Sequence, residues 1–179
     1  MTFAHTRFLI AEDLRQRACR SGKSYTWFSY VKLGFDPPAL AVTIFRVQAW
    51  LQAQGFTRLA TTLRFFNIVA FSIDIGSRAQ IGAGLIIYHP SCVVICDQCV
   101  AGKNLHLVHH NTVAIGPRES AHRATDRVRI GDNVVLGCGS RIVGALTLGN
   151  HCFVGANAVV TTDAAAGSFL VEPDFTFTG

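Results

Sequence analysis

An aliphatic residue recurs every six positions through the second half of this 179-residue chain, and this period is the strongest constraint on its fold. The first run contains Ile75, Ile81 and Ile87, and a glycine follows the first two. The later members are Ile95, Ala101, Leu107, Val113, Ile130, Leu136, Ile142, Leu148, Val154 and Val160. Such a repeat predicts a parallel β-helix, in which three short strands form each coil and the aliphatic residue points to the coil axis. Glycine after the aliphatic residue suits a tight corner.

The period is interrupted twice. It is displaced by two residues around His89–Val94, and it is absent from 114–129, which is polar and charged. Insertions in a solenoid are extruded as loops on one face, often the binding face. We therefore predict an extruded loop over 114–129.

Residues 1–72 have a helical pattern instead. "AEDLRQRACR", which begins at Ala11, has acids first and bases last, as the helix dipole favours. A second helix is predicted after Asp36-Pro37-Pro38 and ends at Gly55, and a third covers 56–71. The predicted fold class is mainly β: an N-terminal α-helical segment (1–72), a left-handed parallel β-helix (73–165) and a C-terminal tail (166–179).

The chain is too apolar for disorder, since 50% of its residues are hydrophobic and 15% are charged. Its net charge of +5 comes from residues 1–73, which hold nine Lys or Arg and three acids. This excess fits a solvated helix face as well as an anionic membrane surface or an acidic polymer, and no nucleic-acid motif accompanies it. With no secretory signal and no apolar run near the roughly 20 residues of a membrane span, we expect a cytoplasmic protein with peripheral membrane contact left open.

Six cysteines raise the question of a metal site. Cys96, Cys99 and Cys152 fall at small-residue positions of the repeat, and no Cys-x-x-Cys pair recurs at a second site. Buried thiols behave as small hydrophobic groups. We therefore predict structural cysteines and no metal.

Several motifs within 72–163 resemble those of a known family. Asp74-Ile75 precedes His89 by fifteen residues, Val93-Val94 follows, and "LVHHNTV" spans 107–113. With the hexapeptide run and the loop, these motifs resemble the left-handed β-helix acyltransferases and, more narrowly, their serine acetyltransferase branch. The helical leader resembles that of bacterial exopolysaccharide acetyltransferases of the colanic acid type.

The resemblance implies acetyl transfer from acetyl-CoA to a hydroxyl. An alcohol needs a base as it attacks a thioester, and neutral imidazole suits that task. It implies His89 as the base and Asp74 as the carboxylate that orients its ring. The fifteen-residue offset is not a whole turn of eighteen, so their contact within or between subunits stays open.

The resemblance also implies further site residues and an assembly. The substrate-binding candidates are Tyr88, His109 and His122. The cofactor-binding candidates are Arg118, Gly137, Cys138, Ser140 and Arg141, because small residues would let a pantetheine arm approach the backbone and arginine suits phosphate. The family arrangement implies a homotrimer with the acyl donor between subunits, and pairing of trimers into a hexamer stays open.

The predicted acceptor follows from one position at which this chain differs from the serine acetyltransferase branch. The branch has an acid directly before the catalytic histidine, which holds the ammonium group of serine, whereas this chain has Tyr88. We therefore predict a hydroxyl of a saccharide or a related small molecule as acceptor, with serine as the alternative. A non-catalytic trimeric scaffold is the third possibility. A γ-class carbonic anhydrase is disfavoured because no His-x4-His spacing is present.

Overall fold

The computed structural model describes residues 1–20, 36–116 and 126–171. The N-terminal segment contains α1 (Phe3–Arg20), α2 (Pro37–Ala53) and α3 (Thr57–Phe71), as the helical pattern predicts. The predicted start of the first helix at Ala11 is wrong, because buried positions spaced three and four apart extend back to Thr6 and the helix begins at Phe3. Its acids consequently lie mid-helix. None of the described helices is both long and apolar enough to cross a bilayer.

The boundaries of the second and third helices follow from local chemistry. The Asp36 side chain accepts a hydrogen bond from the Ala39 N–H at 3.3 Å and caps α2. Two prolines occupy the first turn, where a missing N–H costs nothing. The chain leaves α2 at Gly55, with φ +86°, and leaves α3 at Ser72, with φ 53°. The left-handed turn at Ser72 leads directly into the first strand.

The fourteen strands of the described residues form three parallel sheets that make the sides of a prism. Sheet A contains β1 (Ile73–Ile75), β4 (Val93–Ile95), β7 (Thr112–Ala114), β10 (Arg141–Val143) and β13 (Val159–Val160). Sheet B contains β2 (Gln80–Ile81), β5 (Cys99–Ala101), β8 (Val128–Ile130) and β11 (Thr147–Leu148). Sheet C contains β3 (Ile86–Ile87), β6 (His106–Leu107), β9 (Val135–Leu136), β12 (Phe153–Val154) and β14 (Phe169–Leu170). Each of the first four coils therefore contributes one strand to each sheet, and the last coil meets sheet B only through a parallel bridge between Leu148 and Ala164. This arrangement confirms the predicted parallel β-helix.

The core lies on the prism axis, where the period of six places it. Ile75, Ile87, Leu136 and Ile142 are all buried, and they belong to one hydrophobic cluster that runs through the coils. α2 contributes Phe45 to the same cluster, so the helices cover the first coil. A single coil cannot bury its aliphatic residues alone, because the coils above and below cover them.

Two predicted boundaries need correction. β14 pairs with β12, so the β-helix continues to Leu170 and not only to 165. The predicted loop 114–129 is shorter at both ends, because Ala114 belongs to β7 and Val128 to β8. Backbone pairing with the neighbouring coils extends these strands. Residues 117–125 of that loop lie outside the described part.

The first corner between sheets C and A differs from the others. Eight positions separate the buried Ile87 and Ile95, whereas six separate Leu107 from Val113. The two additional residues bulge outwards, with Cys92 at φ 50° and the Ser91 N–H donating to the His89 carbonyl at 2.9 Å. This local geometry leaves the His89 side chain exposed.

The cysteines behave mainly as packing residues. Cys99 and Cys152 are buried, and burial raises the pKa of the Cys99 thiol to about 12. All six cysteines are free thiols. Cys99 and Cys152 therefore agree with the structural prediction, whereas Cys92 is exposed at the unusual corner.

Candidate active site

One corner of the prism brings several predicted site residues together. The His89 N–H donates to the Val108 carbonyl at 3.1 Å, and the Gly139 N–H donates to the His109 carbonyl at 2.9 Å. These bonds stack three successive coils where sheet C passes into sheet A. The ring centroids of His89 and His109 lie 5.9 Å apart, at 60°. The sequence placed both histidines in a site, and the fold makes them neighbours.

A cavity of about 530 Å³ lies beside this corner, on the outer face of sheet A. Its lining residues are Cys92, Val94, His109, His110, Thr112, Cys138, Gly139, Arg141 and Asn157. Val94, Thr112 and Arg141 are register partners on successive strands, so their side chains form one outward column. We call this space the corner cavity. Its size falls within the usual range for small-molecule sites.

Asp74 does not orient the His89 ring of its own chain. It lies on β1, and its carboxylate forms an ion pair with Arg64 of α3, with Nε and Oδ1 2.5 Å apart. The His89 ring forms no hydrogen bond with any residue that the structure describes. The structure therefore shows no contact between the Asp74 carboxylate and the His89 ring of one chain, and the intrachain form of the predicted pair is not observed. The form between subunits stays a prediction.

The Tyr88 hydroxyl already has two protein partners. The Arg20 guanidinium at the end of α1 donates to it, and the hydroxyl lies 3.3 Å from Nδ1 of His106. His106 is buried, and burial, with a smaller effect from the Arg20 charge, lowers the pKa of its imidazole to about 4. The ring is therefore neutral near pH 7 and can accept from Tyr88. The predicted contact of Tyr88 with an acceptor stays a prediction.

His109 is half-buried and contacts its exposed neighbour. Nδ1 of His109 lies 3.2 Å from Nδ1 of His110, and Nε2 of His110 lies 3.5 Å from the Ser91 hydroxyl. The second contact links two successive coils. His110, for which no role was predicted, lines the corner cavity together with His109.

Two of the cofactor-binding predictions need correction. Ser140 is fully buried, and its hydroxyl accepts from Nδ2 of Asn111 at 2.9 Å, so the residue is out of reach of a ligand in the corner cavity. Gly137 is also buried. A Cβ atom there would lie 2.8 Å from the Val154 carbonyl oxygen. The next coil, and not a ligand, accounts for the missing side chain at Gly137.

The structure describes two of the other three cofactor-binding candidates, Cys138 and Arg141. Cys138 is half-buried and Arg141 is exposed, and both line the corner cavity. Nη1 of Arg141 donates to the Gly139 carbonyl at 3.1 Å, which holds the guanidinium against the corner. Arg118 and His122 fall outside the described residues.

Asn111 is a site component that sequence reasoning missed. It is fully buried beneath His110, and its Nδ2 donates to the Gly137 carbonyl at 2.6 Å and to Ser140. It thereby fixes the backbone of the corner on two coils. The sequence does carry a signal for this: Asn111 directly precedes β7 and lies two residues before the buried Val113, and residues two apart in extended chain point the same way. Among residues 1–20, 36–116 and 126–171, no three His, Cys, Asp or Glu are grouped to hold a metal ion.

Comparison with known proteins assigns the class of fold. The family model "Bacterial transferase hexapeptide (six repeats)" matches residues 127–162. The apoenzyme structure of soybean serine acetyltransferase superimposes with a TM-score of 0.78 at 29% identity, over 94% of this chain and 66% of that one. The chain thus has the left-handed parallel β-helix fold of the hexapeptide-repeat transferases, as predicted.

Relatives in sequence assign the chain to one family within this fold class. The serine acetyltransferase of Helicobacter pylori strain 26695 is 31% identical over 136 residues, which cover 75% of this chain and 77% of that protein. The probable serine acetyltransferase 1 of Oryza sativa subsp. japonica is 33% identical over 160 residues, 87% of this chain and 48% of that protein. The chain belongs to the serine acetyltransferase family. It spans only part of longer relatives, such as 31% of mitochondrial serine acetyltransferase 3 of Arabidopsis thaliana.

Proposed function

We propose that this chain is an acetyl-CoA-dependent O-acetyltransferase whose acceptor is serine or a close relative of serine. The observation that carries the proposal is the exposed His89 ring, 5.9 Å from His109 at the end of the corner cavity. The family of the chain favours serine as acceptor over the saccharide predicted from Tyr88, because its relatives in Helicobacter pylori and Oryza sativa are serine acetyltransferases by name.

In this proposal His89 is the general base. Its ring accepts the proton of the acceptor hydroxyl as the hydroxyl oxygen attacks the thioester carbonyl carbon. The carbon–sulfur bond then breaks, and the imidazolium returns the proton to the leaving thiolate of CoA. The acetyl group ends on the acceptor oxygen, so no oxidant or metal is needed. The tetrahedral intermediate requires N–H donors, which a corner of stacked backbone can supply.

The corner cavity holds the acyl donor in the same proposal. Cys138 and Arg141 line its wall. Arg141 is exposed and can pair with a phosphate of the donor. We further propose that the site is completed by a neighbouring subunit of a homotrimer, because His89 has no carboxylate partner within its own described chain.

The experiment compares two histidine variants. The rate of acetyl-CoA consumption is measured by chromatographic detection of the CoA released. The acceptors are L-serine, homoserine and a sugar panel, and the proteins are wild type, His89→Asn and His151→Asn. We expect turnover with serine, a loss of about 10²–10⁴-fold in kcat/KM for His89→Asn, and a near-normal rate for His151→Asn. His151 is a matched control because it is exposed, and asparagine tolerates its φ of 61°.

Two results would count against the proposal. Turnover with a sugar and none with serine would reject the acceptor and retain the chemistry. No turnover with any acceptor, and no binding of acetyl-CoA, would favour a non-catalytic scaffold.

A further inference from the structure

A second cavity lies on a different sheet of the prism from the corner cavity. It has a volume of about 700 Å³ and is enclosed by α1, α2 and the outer face of sheet B in the first two coils. Its apolar lining includes Leu9 of α1, Phe45 and Ala49 of α2, and Val100 of β5. We call this space the leader cavity. None of its lining residues belongs to the candidate active site.

The polar lining of the leader cavity, as far as the described residues form it, carries positive charge. His5, Gln52, Arg78 and Gln80 line it, and no aspartate or glutamate of residues 1–20, 36–116 and 126–171 does. The Arg78 side chain is exposed and its guanidinium forms no ion pair with a described residue, while the Arg78 N–H donates to Asp97 Oδ1 at 2.8 Å. Its guanidinium is therefore available to an anion.

The other arginine of the lining is not available. Arg46 is buried, and its guanidinium is satisfied by Asp13 and by the carbonyls of Ile81 and Gly82. The charge of Arg46 is cancelled by that of Asp13. An incoming ligand would thus meet an apolar wall and one uncompensated guanidinium.

We propose that the leader cavity is an effector site for a small amphipathic carboxylate, which binds its apolar part between the helices and its carboxylate at Arg78. A predominantly apolar pocket with few polar groups is the usual form of a ligand site. The absence of acids from the lining selects against a cation of the same shape.

Helix α1 connects the leader cavity to the corner. It contributes His5 and Leu9 to the cavity, and its 18 residues span about 27 Å. Further along, Arg17 donates to the Ile87 carbonyl at 2.8 Å, and Arg20 donates to the Tyr88 hydroxyl. Tyr88 directly precedes His89. A ligand that moves the first half of α1 therefore acts on the backbone that carries His89.

Binding is tested with a matched pair of probes, octanoate and octylammonium, by isothermal titration calorimetry. We expect octanoate to bind at least about tenfold more tightly than octylammonium. Arg78→Glu should weaken octanoate binding by about tenfold or more, whereas Arg58→Glu, the same charge change at an exposed position outside the cavity, should leave it within about twofold. Ala53→Phe, on the exposed cavity wall at the end of α2, should weaken it independently of charge.

Three binding results would overturn the site. They are no octanoate binding to the wild type, equal affinity for the two probes, or equal effects of the Arg78 and Arg58 substitutions. Circular dichroism of each variant separates lost binding from lost folding.

Coupling is read from the ring resonances of isotopically labelled histidine, with His89→Asn for assignment. Saturating octanoate should shift the His89 resonance in the wild type, and Arg20→Met should abolish that shift and still bind octanoate. Binding without a shift at His89 would overturn the effector role. This readout does not depend on acetyl transfer, so its failure is distinct from failure of the proposed function; a parallel change in kcat/KM rests on that function.

Discussion

Asp13 and Arg46 form a buried ion pair that joins the helical segment to the first coil of the β-helix. Arg46 Nε lies 2.8 Å from Asp13 Oδ2, and the side chains are 2% and 4% exposed. Asp13 Oδ1 also accepts from the N–H groups of Gly84 and Leu85, each at 2.8 Å. Burial raises the pKa of the Asp13 carboxyl, and Arg46 and the two amides act against that rise. The pair fixes α1 and α2 to the same corner of the coil.

Removing one partner should therefore be costly. Arg46→Met leaves a buried carboxylate without its counter-ion, and we expect the free energy of unfolding to fall by about 3–5 kcal/mol. The double variant Asp13→Asn/Arg46→Met should lose less, because a neutral amide can still accept from the two backbone groups. Urea unfolding at one fixed protein concentration measures both, with Arg58→Met as an exposed control. Equal losses in the single and double variants would contradict a buried-charge origin.

The sequence predicted the β-helix well because the repeat is local. Each aliphatic residue is followed by its corner within the same six residues, so Ile75, Ile87 and Ile142 could be placed on the axis without any tertiary information. Ser140 was assigned wrongly for a local reason as well. It lies two residues before the buried Ile142, and strand parity predicts that both point inwards.

The missed contacts join distant parts of the chain. Arg20 and Tyr88 are 68 residues apart, and Arg64 meets Asp74 only because α3 folds back against β1. Nothing in a single sequence couples such residues. His106 was passed over for the same reason: its ring contacts Tyr88 of the neighbouring coil, 18 residues away, and its own hexapeptide carries no sign of that contact.

His106 should make stability depend on pH. The pKa of its imidazole is about 4 in the folded protein, against an unfolded value of 6.5. Between these values the unfolded chain binds more protons than the folded one, so the free energy of unfolding falls as the pH is lowered from 6.5 to 4. We expect a contribution of about 2 kcal/mol, below the full conversion of the shift, because the imidazole keeps some contact with water and the Arg20 charge is screened by solvent.

The measurement compares urea unfolding across this pH range in wild type, His106→Gln and His151→Asn. Glutamine can still accept from Tyr88 and does not titrate, so His106→Gln should lose the His106 part of the slope. The exposed His151 should have little effect. An unchanged slope in His106→Gln would show that other groups cause the pH dependence.

Mixed trimers can show which subunit supplies the carboxylate beside His89. Asp74 pairs with Arg64 in its own chain, so a catalytic role for Asp74 requires a His89 from a neighbouring chain. In that case Asp74→Asn and His89→Asn should each be inactive alone. Mixed trimers from co-expression should regain activity at about a quarter of their sites, because an intact site needs Asp74 from a His89→Asn chain and His89 from a neighbouring Asp74→Asn chain. Acetyl transfer by the purified mixture measures this, with sedimentation to verify the assembly. Full activity of Asp74→Asn alone would instead assign the carboxylate a structural role, in which it holds α3 against β1 through Arg64.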